Sequence, residues 1–352
     1  MPQDVADQLV LNKMSDLNDQ AGRWGVQRTM DALAKDGTPV PRRIIREVMH
    51  DNEPDAVNAR FPGKKKIPCA KLSSIGPFHE VNCDGHDKLG IFALQMGPVT
   101  LPIYGMKDKW SDVMLHLVVI PNNRNAVVVG HVFLDFVEIF GSVPIQITVD
   151  KGSETGNMFA FQTALRQIFA PELDVDAVPS FVALPSTRNI PIEGAWHWFR
   201  EQTGRTLFHH VTQGKMLNIF NPNNEVHIKL FNWIWPPIIQ QELDKFRDSW
   251  NMHTVRKQRN KVMPSGSTPT MFFTSPEMWG GKRVSVPVPK IAVNALRETL
   301  PITREEAFRF VDDEFAAFAN GVFEELGKPI IDVGTAWLVF ERMALILCEQ
   351  LL

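Results

Sequence analysis

The sequence predicts an α/β fold, a mixed β-sheet core with helical segments at both ends. Between about residues 78 and 262, short apolar runs bounded by turn residues alternate with longer stretches of helical period. Their order is strand, strand, strand, helix, strand, helix, strand, helix, which requires an antiparallel meander followed by crossovers. The segments on either side carry helical patterns. The chain has 352 residues, of which 44% are hydrophobic, enough apolar material for one large domain or two to three smaller ones. A charged fraction of 22% is that of a globular chain and excludes wholesale disorder.

Residues 1–60 read as a helical unit. Val26, Met30 and Leu33 recur at helical spacing and stop at Gly37. The turn GTPVP follows, then a second helix through Ile44, Ile45 and Val48. Arg42, Arg43 and Arg46 stand at the start of that second helix, where a helix-turn-helix presents side chains to DNA. Solvated surface arginines are the competing reading. Residues 61–77 form a linker with the run Lys64, Lys65, Lys66, either a solvated tether or a track for a phosphate backbone.

The core is expected over 78–262. His79 to Asp84 reads as its first strand, with Pro102 to Lys107 and Val113 to Ile120 as the next two. Ala126 to Phe140 has helical period and ends at Gly141, a suitable C-terminal cap. Ile145 to Val149 is a strand, 156–169 a helix, Ser180 to Leu184 a strand, and Ile192 begins another helix. An apolar helical pattern over Trp233 to Leu243 leads into a basic stretch containing Lys245, Arg247, Arg256, Lys257, Arg259 and Lys261. Residues 263–352 comprise a linker and a helical region, in whose last part acidic residues outnumber basic ones about two to one.

The totals restrict function. A net charge of −3 and a pI near 6.4 give no overall attraction to nucleic acid, so any such contact must come from local basic patches. Cys69, Cys83 and Cys348 are far apart with no CxxC pair, which excludes a cysteine zinc site and fits reduced thiols. The N-terminus has no signal-peptide pattern. The apolar stretch Val333 to Leu352 is broken by Glu341 and Arg342, so it reads as a packed helix, with no membrane span expected.

Asp84 and Asp150 are expected at the ends of neighbouring strands, and Glu193 at the start of a helix beyond a third strand. In an α/β sheet such positions converge on one crevice. Three carboxylates suit two hard divalent cations, Mg2+ or Mn2+, which keep waters and bind phosphate oxygens. Such a pair clamps an in-line displacement at phosphorus. Asp84 would bridge the two ions, with Asp150 and Glu193 each holding one. Taken singly, each acid is equally an ordinary cap or turn residue. Glu154 reads as a helix cap before a supporting carboxylate beside Asp150, His86 as a packing residue before a metal ligand, and one of Trp196 and Trp198 as a core residue. His197 and Arg200 share a face with Glu193 if the helix is regular, and either meet phosphate or lie in solvent.

Residues 78–262 resemble the integrase core of retroviral-type integrases and DDE transposases, most closely a eukaryotic transposon-derived group. The resemblance rests on D-G-H-D-K-L at Asp84 to Leu89 and on Ile103, Tyr104 and Gly105 before a hairpin at Asp108 to Ser111. A D-x-G-S-E turn at Asp150 to Glu154 and an S-T-x-N-x-x-I-E-x-x-W run from Ser186 to Trp196 complete it. It implies a ribonuclease H-like core with an N-terminal helix-turn-helix and a C-terminal helical extension. The implied activity is metal-dependent cutting and joining of DNA ends, with transposon ends and target DNA as partners. A homo-oligomer is implied, as is a nuclear location in a eukaryotic host. The sequence departs from the group in a longer spacing from Asp150 to Glu193, with an insert around Pro171 to Pro185, in Pro191, and in Thr155 where the group has asparagine. Two alternatives stay open: a domesticated DNA-binding or scaffold protein that keeps the fold without strand transfer, or a plain nuclease.

Overall fold

The computed structural model describes residues 2–17, 24–53, 74–174, 176–257 and 263–351. Lys64, Lys65, Lys66 and Arg259 lie outside these ranges.

Helices α1 (Gln3–Asp16), α2 (Val26–Lys35) and α3 (Arg42–Asn52) share a small core of Ala6, Val10, Leu33, Ile44, Ile45, Val48 and Met49. Helix α2 ends at Gly37, whose φ of +74° is the left-handed conformation that glycine adopts without steric cost. Helix α1 is an addition to the sequence reading. Its weak amphipathicity hides it, because only Ala6 and Val10 are fully buried.

The central sheet has five strands in the order β3-β2-β1-β5-β6: β1 (Glu80–His86), β2 (Ile103–Asp108), β3 (Met114–Val119), β5 (Gln146–Asp150) and β6 (Phe181–Leu184). The pairs β1–β2 and β2–β3 are antiparallel, whereas β1–β5 and β5–β6 are parallel. This is the predicted meander followed by crossovers. Strand β4 (Ser142–Val143) pairs separately with β7 (Val286–Pro287). Helix α4 (Ala126–Phe140) has the predicted bounds and ends at Gly141 with φ +59°. Asn125 caps its start by accepting from the amides of Val127 and Val128.

Strand alternation divides the core in two. Val81, Cys83, Tyr104, Met106, Ile147 and Val149 join α4 and α5 (Gly156–Phe169) in one apolar cluster. Ile103, Met114, Leu117 and Val119 join α6 (Ile190–Phe199), α7 (Arg205–Met216) and α8 (Glu225–Met252) in the other. The C-terminal region contributes to both. Helix α9 (Lys290–Glu298) packs on α4, while α10 (Asp313–Glu325) and α11 (Ala336–Leu351) pack on α8. Side chains of α8 also satisfy the free edge of β3. Gln240 bonds the amide of Val119 and the carbonyl of Leu117, and Asn251 does the same for both groups of Met114. An unpaired edge would otherwise recruit another strand.

Candidate metal centre

The first strand extends two residues past its expected end, so Asp84 lies within β1 rather than at its terminus. The cause is β2, which continues the ladder through Asp84↔Gly105 to His86↔Ile103. Alternation then sets Glu80, Asn82, Asp84 and His86 on the α6 side of the sheet, opposite the apolar Val81 and Cys83. On β5 the same rule sets Gln146, Thr148 and Asp150 on that side, opposite Ile147 and Val149. The parallel register runs Glu80↔Gln146 and Asn82↔Thr148. Two residues further on, it brings Asp84 level with Asp150.

The third carboxylate arrives on α6. Asn189, fully buried just before this helix, donates to the Cys83 carbonyl at 3.1 Å and to Asp150 Oδ1 at 3.2 Å. Its Oδ1 accepts from Asn82 Nδ2 at 2.8 Å. One amide thus ties the helix start to both strands. Pro191 occupies the first turn of α6, where a missing N–H costs no helical bond. Its carbonyl accepts from the buried Lys107 Nζ at 2.9 Å, fixing the helix to β2. Proline is therefore compatible with the presentation of Glu193. Asp84, Asp150 and Glu193 converge, with one oxygen of each lying within 4.8 Å of the others.

Trp196 completes the site. Its Nε1 donates to Asp84 Oδ2 at 2.8 Å, and its ring stacks on His86 at 4.8 Å. Its edge lies where a side chain at position 105 would be: a Cβ on Gly105 would come within 2.6 Å of the ring. The sequence marked Trp196 as a packing candidate, but its bond to Asp84 depends on a contact across 112 residues. Asn189 and Lys107 were also without an assigned role. The first belongs to a motif already noted, while nothing local marks the second.

Electrostatics follow from this convergence. Burial, then the Asp150 charge, raise Asp84 to a pKa of about 7, against the pull of the Trp196 hydrogen bond. Glu193 is also raised, by burial and by Asp150, with Lys88 acting in the opposite direction. Carboxylates held together at this cost fit hard divalent cations, which take oxygen ligands and cancel the repulsion.

The other described candidate residues sit on α3, on the helical run after Glu193 and beyond α8. Arg42, Arg43 and Arg46 are exposed on α3; Arg42 bonds Gln27, and Arg43 pairs with Glu47 at 2.8 Å. His197 and Arg200 are exposed and bond each other at 3.3 Å. Regular helix geometry stops at Phe199, and Arg200–Gly204 form a π-turn before α7. Gly204 has no Cβ there, and one added would sit 3.3 Å from the Phe199 ring. Arg256 and Lys257 are exposed beyond α8, whereas Lys245 and Arg247 pair with Glu242 and with Asp244 and Asp248. Glu154 does not cap α5: Thr155 holds that position without a side-chain cap bond. The Glu154 carboxylate instead folds over Gly152, whose missing Cβ makes room for it. His86 packs, as expected, and Trp198 is half exposed.

The profile of the family described as Integrase core domain matches residues 84–278, more than half of the chain. The chain belongs to the integrase core domain family. The match begins at Asp84 and spans all three carboxylates, so the acidic cluster of this integrase core lies wholly within the family's domain. The comparison with curated proteins finds no match. Among the described residues, no helix is long and apolar enough to cross a membrane.

Proposed function

We propose that this integrase-family protein is a metal-dependent DNA strand transferase, with Asp84, Asp150 and Glu193 as its catalytic ligands. The observation that carries the reading is the convergence of these three carboxylates within an integrase core. They would hold two Mg2+ or Mn2+ ions, which supply activation of the attacking hydroxyl and stabilisation of the leaving oxygen. The protein's own part is positional. Trp196 donates to one oxygen of Asp84, Asn189 orients Asp150, and Lys88 puts positive charge beside Glu193.

DNA would be held by exposed basic groups along the chain. His197 and Arg200 follow Glu193 on the same helical run, and Arg256, Lys257 and Arg259 follow α8. Arg42, Arg43 and Arg46 project from α3, and Lys64, Lys65 and Lys66 lie in the segment that links α3 to the core. Cutting at two DNA ends fits a homo-oligomer acting in the nucleus of a eukaryotic host. Domain limits of 1–60, 61–77, 78–262 and 263–352 are proposed on the same basis.

The test is magnesium- or manganese-dependent nicking of an end-labelled duplex, compared with Asp150→Asn. We expect nicked and joined products with the wild type and loss of both with the variant. Equal activity in the two proteins, or none in either, would sink the catalytic reading. Cut ends without joined products would identify a nuclease.

A further inference from the structure

A second feature lies beside His86, the residue on which the Trp196 ring stacks. There, a cavity of about 190 Å³ is lined by His86, Lys88, Leu89, Phe199, Arg200, Gly204, Arg205 and Phe208. Its inner surface is almost wholly apolar. Its size falls below the ~300 Å³ at which drug-sized ligands begin to fit, but it admits a single planar ring system. Three cations, Lys88, Arg200 and Arg205, are exposed around its mouth. Among the described residues Lys88 forms no ion pair, while Arg205 pairs with Glu201 at 2.8 Å and Arg200 lies 3.6 Å from the same acid.

We propose that this cavity receives one unpaired nucleobase of the DNA, next to the carboxylate site. The apolar slot offers one accessible aromatic face, that of Phe208, which suits a base because every base has a π-face whatever its identity. The cationic rim suits the phosphates on either side of an extruded nucleotide. No neutral planar metabolite would need that rim. The position also agrees: Trp196 bonds Asp84 and stacks on His86, so a single ring separates the carboxylates from the cavity wall. A strand with one base in the slot would therefore pass close to the metal ligands. The helical turn Ile91–Leu94 follows directly and carries Phe92, which is 88% exposed and shaped to fill the gap left by a departing base. The proposal rests on the DNA-processing reading above and adds where an opened end is held.

The test uses the full-length protein and two dye-labelled duplexes, one fully paired and one with a single unpaired 2-aminopurine near its end. Anisotropy gives the affinity, and 2-aminopurine emission reports ring contact. We expect the unpaired duplex to bind about tenfold tighter, with its emission quenched. Phe208→Ala should abolish the preference and the quenching and leave affinity for the paired duplex unchanged, whereas Phe208→Tyr should keep both. Phe208 is partly exposed, so neither change threatens folding. Equal binding of the two duplexes, or a preference that survives Phe208→Ala, overturns the pocket and leaves strand transfer standing. Failure to bind either duplex overturns both.

Discussion

Asp84 is held half-buried against two other carboxylates, so its ionisation opposes folding unless a cation is present. Its folded pKa of about 7 lies above the ~3.9 of an unfolded chain. The folded state therefore keeps this proton longer, and the associated stability is complete below about pH 4 and lost as pH rises through 7. In EDTA, Asp84→Asn should match wild type at pH 4 and exceed it by about 2–4 kcal/mol at pH 8. Thermal melts across this range check the sign; an advantage that does not vary with pH would contradict the electrostatic cause. Millimolar magnesium should close the gap at pH 8. Trp196 acts on the same oxygen pair. Trp196→Phe keeps a ring but removes the donor to Asp84. The metal concentration for half-maximal nicking should then rise about ten- to 100-fold, as for other residues that orient metal ligands. An unchanged metal titration would make Trp196 a packing residue only.

At the scale of elements, the site depends on how closely α6 approaches β2. Gly105 permits the approach and Lys107 fixes it through the Pro191 carbonyl. Gly105→Ala should push the Trp196 ring away, cost about 1–3 kcal/mol in urea unfolding and reduce nicking. Gly194 is the control: it lies one residue after Glu193, a Cβ there would meet open space, and alanine in a helix is better by up to ~1 kcal/mol. Gly194→Ala should therefore be neutral or stabilising, and a loss equal to that of Gly105→Ala would refute the steric argument. The far end of this element is also held. The Trp24 indole donates to the Gln202 carbonyl at 2.9 Å, and Arg28 bonds the Gln202 side chain. The N-terminal helices thus rest on the π-turn that continues the Glu193 helix.

Across the whole molecule, the C-terminal region clasps the core on both faces. One anchor is ionic: Asp135, nearly buried on α4, accepts from Arg297 at 2.7 Å and from Arg304 at 2.8 Å. The other is aromatic, where Trp337 packs against Phe220, Phe231 and Trp235 and donates to the His210 carbonyl. Asp135→Ala leaves two arginines without their shared acceptor and should cost about 3 kcal/mol. Limited trypsin digestion should then cut faster at Arg297 or Arg304. Unchanged digestion would show that the aromatic anchor suffices alone.

The sequence alone determined the order of elements, because strand alternation and helical period are local properties. It also supplied the three acids, each marked by its motif, and the limits of α4, where Asn125 and Gly141 are local caps. It could not place Asp84 inside its strand, because that limit is set by β2, whose Tyr104 and Ile103 pair with Gly85 and His86 from a separate segment of the chain. Nor could it assign Trp196, Asn189 and Lys107 their roles, since each acts through a contact 39 or more residues distant. Only the tertiary structure, which aligns β1 with β5 and seats α6 above them, decided that three ordinary acids share one site. Pairing register and helix docking are long-range choices, and neither is recorded in the chemistry of any one segment.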